Sequence, residues 1–332
     1  MHEPKISILI PVYNGESTLS VAMDSAINQT LRDIEIICVD DKSTDRSLEI
    51  LKKYAAADGR IRVLENDKNL GTLAVRIGAL LASRGSYVLW LDCDDELMVT
   101  IGEKALAVAE HSGADVVLFP LEKKTVGKAL ESPVYWMLRL KPFQGTRDGG
   151  ELIQLLAEGK ITWNLWNKLW DGNMCRAAAA QMAPFAEGRR IVVGDDLILF
   201  WTAAKRARSY ALCPTVGYRY YAGGESFSAK LDPIVFSRLY VGNISAIAKK
   251  IFSEELDPAA QLKFELVLRR GEDDLFGHIV SMPLRDGASA FYSYLRAFPP
   301  RQRGAILGAM WRKHGDWCHS ALALASQSQS AE

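Results

Sequence analysis

Tyr87-Val88-Leu89-Trp90-Leu91-Asp92-Cys93-Asp94-Asp95-Glu96 is the stretch on which the reading of this chain turns. Its opening residues are apolar or aromatic and uncharged, the pattern of a strand buried on both faces. The carboxylates of Asp92, Asp94 and Asp95 follow at once. Like charges repel and resist burial unless something positive lies between them, so folding alone explains such a cluster poorly. In an open α/β sheet the C-terminal lip of a central strand is also where ligands bind. Asp92-x-Asp94-Asp95 is therefore a candidate divalent-cation site, its hard oxygens suited to Mg²⁺ or Mn²⁺. The alternative is a solvated acidic loop that caps the following helix.

Upstream, strand and helix patterns alternate. Lys5 to Val12 is β-branched and apolar, with Pro11 expected to end its pairing. Tyr13-Asn14-Gly15-Glu16 is turn chemistry, and Ser17 is placed to cap a helix with Leu19, Met23, Ala26 and Ile27 on one face. Strand patterns recur at Ile34 to Val39 and Ile61 to Leu64, with helical faces at Leu48, Leu51 and Tyr54 and at Leu73, Ile77, Leu80 and Leu81. A helix over Ile101 to Glu110 and a strand at Asp115 to Phe119 complete the alternation, which predicts a mostly parallel sheet with helices on both faces.

Beyond Leu121 the pattern lapses. Residues 122–147 read as a loop-rich excursion, Gly150 to Glu158 as a helix, and the tryptophans of Trp163 to Trp170 as packed core. Gly194-Asp195-Asp196 precedes a helical LILFWTAA, which puts both acids at a helix N-terminus, where capping is their ordinary work. Tyr210 to Tyr221 is β-like, and the chain from about Pro233 reads as helices. Three regions follow: 1–120, 121–230 as the second half of the same domain, and a mainly helical 231–332.

The chain has 332 residues, 48% hydrophobic and 24% charged, the composition of an ordinary soluble protein of one large or two modest domains. Forty basic residues balance forty acidic ones, so no global basic field points to nucleic acid. Five scattered cysteines without a C-x-x-C pair read as reduced thiols. With neither a signal peptide nor an apolar run of spanning length, a cytoplasmic protein is expected. Residues 301–313 carry Arg301, Arg303, Arg312 and Lys313 among Ile306, Leu307, Met310 and Trp311. The ordinary reading is a solvated terminal helix docked on its domain; the alternative is peripheral contact with an anionic membrane, at its inner face.

Together the motifs resemble an inverting family 2 glycosyltransferase of the GT-A fold. They are PVYNGE (11–16), VDDKSTD (39–45), NLGTLAVR (69–76), GSYVLWLDCDDE (85–96), WNKLW (166–170), GDD (194–196) and YRYYAGGESFS (218–228), in the family's order. The resemblance implies a hexosyltransferase-type enzyme moving one sugar from a nucleotide-diphosphate sugar, UDP-linked by first expectation, to a sugar or lipid-linked acceptor in bacterial surface polysaccharide, lipopolysaccharide or glycolipid synthesis. It implies Mn²⁺ or Mg²⁺ as cofactor. By position it places Pro11, Tyr13, Asp41, Arg76, Asp92 and Asp94 at the donor, with Asp94 and Asp95 as metal and ribose contacts. Asp196 matches the catalytic base. Asp195, Lys168, Tyr220 and Ser226 match the region that closes over the diphosphate or frames the acceptor. Lys42 stands where the family has Gly, and Ile77 and Ala79 where Asn and Gly are common. The Q-x-x-R-W motif and membrane spans of processive synthases are absent, favouring single addition.

Two other classes compete. A nucleotidyltransferase or phosphatase needs a phosphate-reading loop or nucleophilic Asp at the end of the first strand, and Pro11-Val12-Tyr13-Asn14 supplies neither. A non-catalytic binding module of the same fold is the other; the retained Asp94, Asp95 and Asp196 argue against it.

Overall fold

The computed structural model describes residues 3–125, 143–222, 233–255, 257–270 and 272–329. Contacts divide it into two compact units: Met1–Ile191 with Asp195–Ala229, and Val192–Gly194 with Lys230–Glu332.

The first unit opens with β1 (Ile6–Val12), α1 (Leu19–Ile27), β2 (Ile34–Asp40), α2 (Ser47–Ala57), β3 (Ile61–Glu65), α3 (Thr72–Ala82) and β4 (Tyr87–Trp90), the alternation the sequence predicts. It continues through β5 (Glu96–Leu97), α4 (Ile101–Ser112), β6 (Val116–Leu118), β7 (Leu121–Thr125), β8 (Thr146–Asp148), α5 (Glu151–Ala157), β9 (Lys168–Asp171), α6 (Gly172–Ala186), α7 (Asp195–Ala204), β10 (Ser209–Leu212) and β11 (Tyr218–Ala222). The main sheet runs β3-β2-β1-β4-β9-β6-β10-β8, and a smaller one runs β5-β11-β7. Every residue of β2 is buried, as in a strand covered on both faces, and the buried Glu35 within it accepts from Ser7 Oγ at 2.7 Å and Arg84 N–H at 2.6 Å.

Several expectations are corrected. Pro11 does not end the pairing of β1, which stays in register with β2 through Val12 opposite Asp40. Leu9 C=O accepts from Leu91 on the β4 side and Val12 C=O from Asp41 on the β2 side, so by alternation the missing Pro11 N–H faces the β4 side, where pairing ends. Thr18, not Ser17, precedes α1, and its side chain makes no cap. Lys168 to Asp171 forms a strand, β9, antiparallel to both β4 and β6 and wedged between them. Tyr210 to Tyr221 breaks into β10 and β11, which belong to different sheets. Trp166 and Trp170 are core, as expected.

The second unit is helical: α8 (Pro233–Glu254), α9 (Pro258–Arg270), α10 (Glu272–Ser281), α11 (Leu284–Ala297) and α12 (Pro300–Gln329). α12 is kinked at His314, where φ is −137° and ψ 44°. Among the described residues no helix is long and apolar enough to cross a membrane.

Candidate active site

Strand order reverses at β1, whose neighbours are β2 on one side and β4 on the other. A crevice opens beyond the C-terminal ends of strands at such a switch point. The turn after β1 and the loop after β2 are stitched into one wall. Asn14 N–H donates to Ser43 Oγ at 3.0 Å, Gly15 N–H to Ser47 Oγ at 2.9 Å and Glu16 N–H to an Asp45 carboxylate oxygen at 3.0 Å. Lys42, standing where the family has glycine, takes φ +61°. Its loop thus keeps the left-handed turn despite the side chain.

Asp41 is buried, and its carboxylate accepts from Asn66 Nδ2 (2.8 Å), Leu70 N–H (2.8 Å) and Gly71 N–H (2.9 Å). It therefore ties the β2 loop to the start of α3. Gly71 holds φ +88°, and a Cβ there would lie 2.8 Å from Ile191 O. Beside it, Asp40 is buried with Oδ2 accepting from Ser43 N–H at 3.1 Å and Oδ1 without a partner. Pro11 and Tyr13 are half-buried at the end of β1.

Across the crevice the acids after β4 divide into two roles. Asp92 and Asp94 are half-buried. Asp95 is only 2% exposed; its Oδ2 accepts from the Tyr218 hydroxyl at 2.8 Å and its Oδ1 from Tyr221 N–H at 2.9 Å. Burial first, then the Asp94 and Asp92 charges, raise its carboxyl well above the usual range. Asp95, expected with Asp94 at a metal, is thus buried and braces β11, while Asp92 and Asp94 keep partial exposure. The Tyr218 hydroxyl also accepts Asp92 N–H at 3.2 Å. Tyr218, which the sequence reading did not single out, thus sets the acidic turn from below.

Arg76, on α3 and 6% exposed, is the positive group that such a cluster requires. Its Nη2 donates to Asp92 Oδ1 and its Nε to Asp195 Oδ2, each at 2.8 Å, while the guanidinium lies 5.1 Å from the centre of the Trp90 ring. Nη1 is buried without a partner. Asp195 and Asp196 open α7, as the sequence predicts, and Asp196 Oδ1 accepts from Leu197 N–H at 2.9 Å. Burial, and then the Asp195 charge, push the Asp196 carboxyl up to about 7, with Arg76 acting in the opposite direction. One guanidinium therefore joins Asp92, after β4, to Asp195, the neighbour of Asp196 on α7.

Lys168, which the resemblance matches to the region that closes over the diphosphate or frames the acceptor, lies on β9 at 1% exposure. Its Nζ donates to Asn164 O and Asn167 Oδ1, both at 2.6 Å, and lies 5.5 Å from the centre of the Phe200 ring of α7. Burial pushes the ammonium down to about 7, opposed by Asp196. Tyr220 is half-buried, and its ring stacks with Trp166 at 5.6 Å beside the Trp166–Tyr218 stack at 4.4 Å. Ser226 lies outside the described residues.

Residues 7–162 match the Glycosyl transferase family 2 model. The chain is 31% identical over 222 residues to the putative glycosyltransferase EpsH of Bacillus subtilis, covering 66% of this chain and 61% of EpsH. It is 28% identical over 306 residues to a poly(ribitol-phosphate) beta-glucosyltransferase of Bacillus spizizenii, covering 89% of this chain and 44% of that protein. It thus spans about half to three-fifths of the length of these relatives. S. aureus TarS 1–349 in complex with UDP-GlcNAc superposes with a TM-score of 0.66 at 19% identity, covering 98% of this chain and 92% of TarS 1–349, a likeness of fold. The architecture is GT-A, and by the family match and the relatives residues 7–162 of the chain belong to glycosyl transferase family 2.

Proposed function

We propose that this chain transfers one hexose from a nucleotide-diphosphate sugar to an acceptor hydroxyl with inversion, assisted by a divalent cation. The observation that supports the reading is the Arg76 bridge, which ties Asp92, after β4, to Asp195, at the start of α7. Among the described residues, no group of three or more His, Cys, Asp or Glu is placed to hold a metal by itself. Mg²⁺ and Mn²⁺ in phosphate-transfer sites are instead held by one or two carboxylates together with the substrate's phosphates. The outward pair Asp92 and Asp94 fits that donor set. A cation bound there would neutralise charge on the departing diphosphate.

The acceptor oxygen attacks the sugar's anomeric carbon as the bond from that carbon to the diphosphate breaks, and the nucleoside diphosphate leaves with the electron pair. Asp196 takes the acceptor's proton. An acid poised at about 7 suits that task, since general bases work best with a pKa near the working pH. Direct displacement inverts the anomeric centre without a covalent enzyme intermediate. Asp195 and Arg76 hold the base in place, and Asp40, Asp41, Pro11 and Tyr13 line the wall where the nucleoside would sit. A uridine donor is favoured because TarS, of the same fold, has structures with UDP and UDP-GlcNAc. The acceptor class we favour is a bacterial surface polymer, a reading in line with the relative named poly(ribitol-phosphate) beta-glucosyltransferase.

Calorimetry with Mn²⁺ across UDP- and GDP-sugars and their free diphosphates tests the donor half; no heat with any of them defeats it. Asp196→Asn should abolish transfer and leave donor binding intact, and undiminished turnover would remove Asp196 as the base.

A further inference from the structure

We infer that the second unit carries a docking surface for an anionic lipid bilayer, formed by the outer faces of α9 and α12. α12 turns Gln302, Ile306, Ala309 and Met310 into its unit, so it is docked, as the ordinary reading of residues 301–313 holds. Docking leaves Leu307 and Trp311 outside, each 42% exposed and one helical turn apart. α9 repeats the arrangement: Phe264, Val267 and Leu268 point inward, while Leu262 and Leu266 are 55% and 44% exposed. These are the large apolar side chains exposed among the described residues of this unit. Arg301 Nη2 donates to Gln261 Oε1 at 2.8 Å, which brings the starts of the two helices together.

Charge decides what covers this surface. Residues 301–313 contain Arg301, Arg303, Arg312 and Lys313 and no acid. Arg303 spends Nε on Phe298 O and Nη2 on Arg296 O, and Arg301 is bonded to a neutral amide, so these hydrogen bonds leave their charge in place. A second copy of the chain meeting this face about a two-fold axis would set arginine against arginine, because such an interface pairs a patch with itself. A bilayer bearing anionic headgroups answers both features. Phosphates meet the cations, and the acyl boundary takes the leucines and the indole of Trp311, a side chain suited to that depth.

The test is co-sedimentation of the full chain with vesicles of phosphatidylcholine alone or with about one-third phosphatidylglycerol. We expect binding about tenfold stronger on the anionic vesicles and weakened by salt, because each cation near the surface contributes separately. Leu307→Ser with Trp311→Ser should lower it about tenfold again, with nucleotide binding by the first unit unchanged as the folding control. Replacing Arg301, Arg303, Arg312 and Lys313 by Gln should remove the preference for anionic lipid. Equal binding to both vesicle types, or full binding by the Ser variant, overturns the inference. So does equally tight capture by a soluble polyanion, or a dimer in solution that the Ser variant dissolves.

Discussion

Replacing Arg76 by Gln should damage both halves of the crevice at once. The guanidinium holds Asp92 and Asp195 at 2.8 Å each and is almost fully buried. At an effective dielectric of about 20, each charge pair at about 4 Å attracts by about 4 kcal/mol, most of it offset by desolvation. Deletion is harsher than that balance suggests, because two carboxylates are left without their cation, typically at about 3–5 kcal/mol. Spread over a unit of this size, the loss lowers the melting temperature by roughly 6–20 °C. Arg76 also restrains the Asp196 carboxyl from rising further, so its removal raises that group above about 7. If Asp196 is the base, the acid limb of kcat/KM moves to higher pH in Arg76→Gln. Arg76→Lys should restore part of the charge but not the fork that reaches both acids. Donor turnover followed across pH, with parallel thermal melts, reads both effects. An unshifted acid limb in a variant that has lost stability would make Arg76 a structural brace alone, and unchanged values of both would refute the reasoning.

Other outcomes follow from particular contacts. Tyr218→Phe leaves the buried Asp95 Oδ2 and the Asp92 N–H without their partner, so it should destabilise by about 1–3 kcal/mol in urea unfolding. Gly71→Ala meets Ile191 O and a φ of +88°, and should lose more than about 1 kcal/mol along with nucleotide affinity; a neutral result would release the Asp41 loop from its role as a wall. Asp196 is raised on folding, so its contribution to stability is full below the unfolded carboxyl range and is lost as pH rises through about 7. Asp196→Asn should therefore melt higher than the parent at pH 8 and nearly equal to it at acid pH; the reverse order would place the carboxylate in a favourable ion pair.

The parallel half of the fold was legible because β1, β2 and β4 are strands covered on both faces and mostly apolar, with Glu35 the one charge inside β2 and Asp40 at its end. β9 was not, since Lys168-Leu169-Trp170-Asp171 carries a lysine and an aspartate at positions that a central strand normally denies to charge. Lys168 is tolerated there because Asn164 and Asn167 supply its acceptors from the same turn. The acids at 92–95 were visible as a cluster, but adjacent residues give no sign of which way each one faces. The inward turn of Asp95 depends on Tyr218, which is more than 120 residues away. Arg76 was identified by resemblance as a nucleotide contact; its commitment to Asp195 joins positions 119 apart and could not be read locally.

The antiparallel wedge has a consequence for assembly. The family match ends at residue 162, yet β4 and β6 acquire their common neighbour only at Lys168–Asp171. When only the first 162 residues have been released the main sheet stops at β4, whose outer rim of N–H and C=O groups is unpaired, and β6 has neither of its partners, β9 and β10. The motif-rich half is thus not a folding unit in its own right: the segment that completes it arrives late, and a truncation before it should yield an aggregation-prone fragment instead of a minimal enzyme.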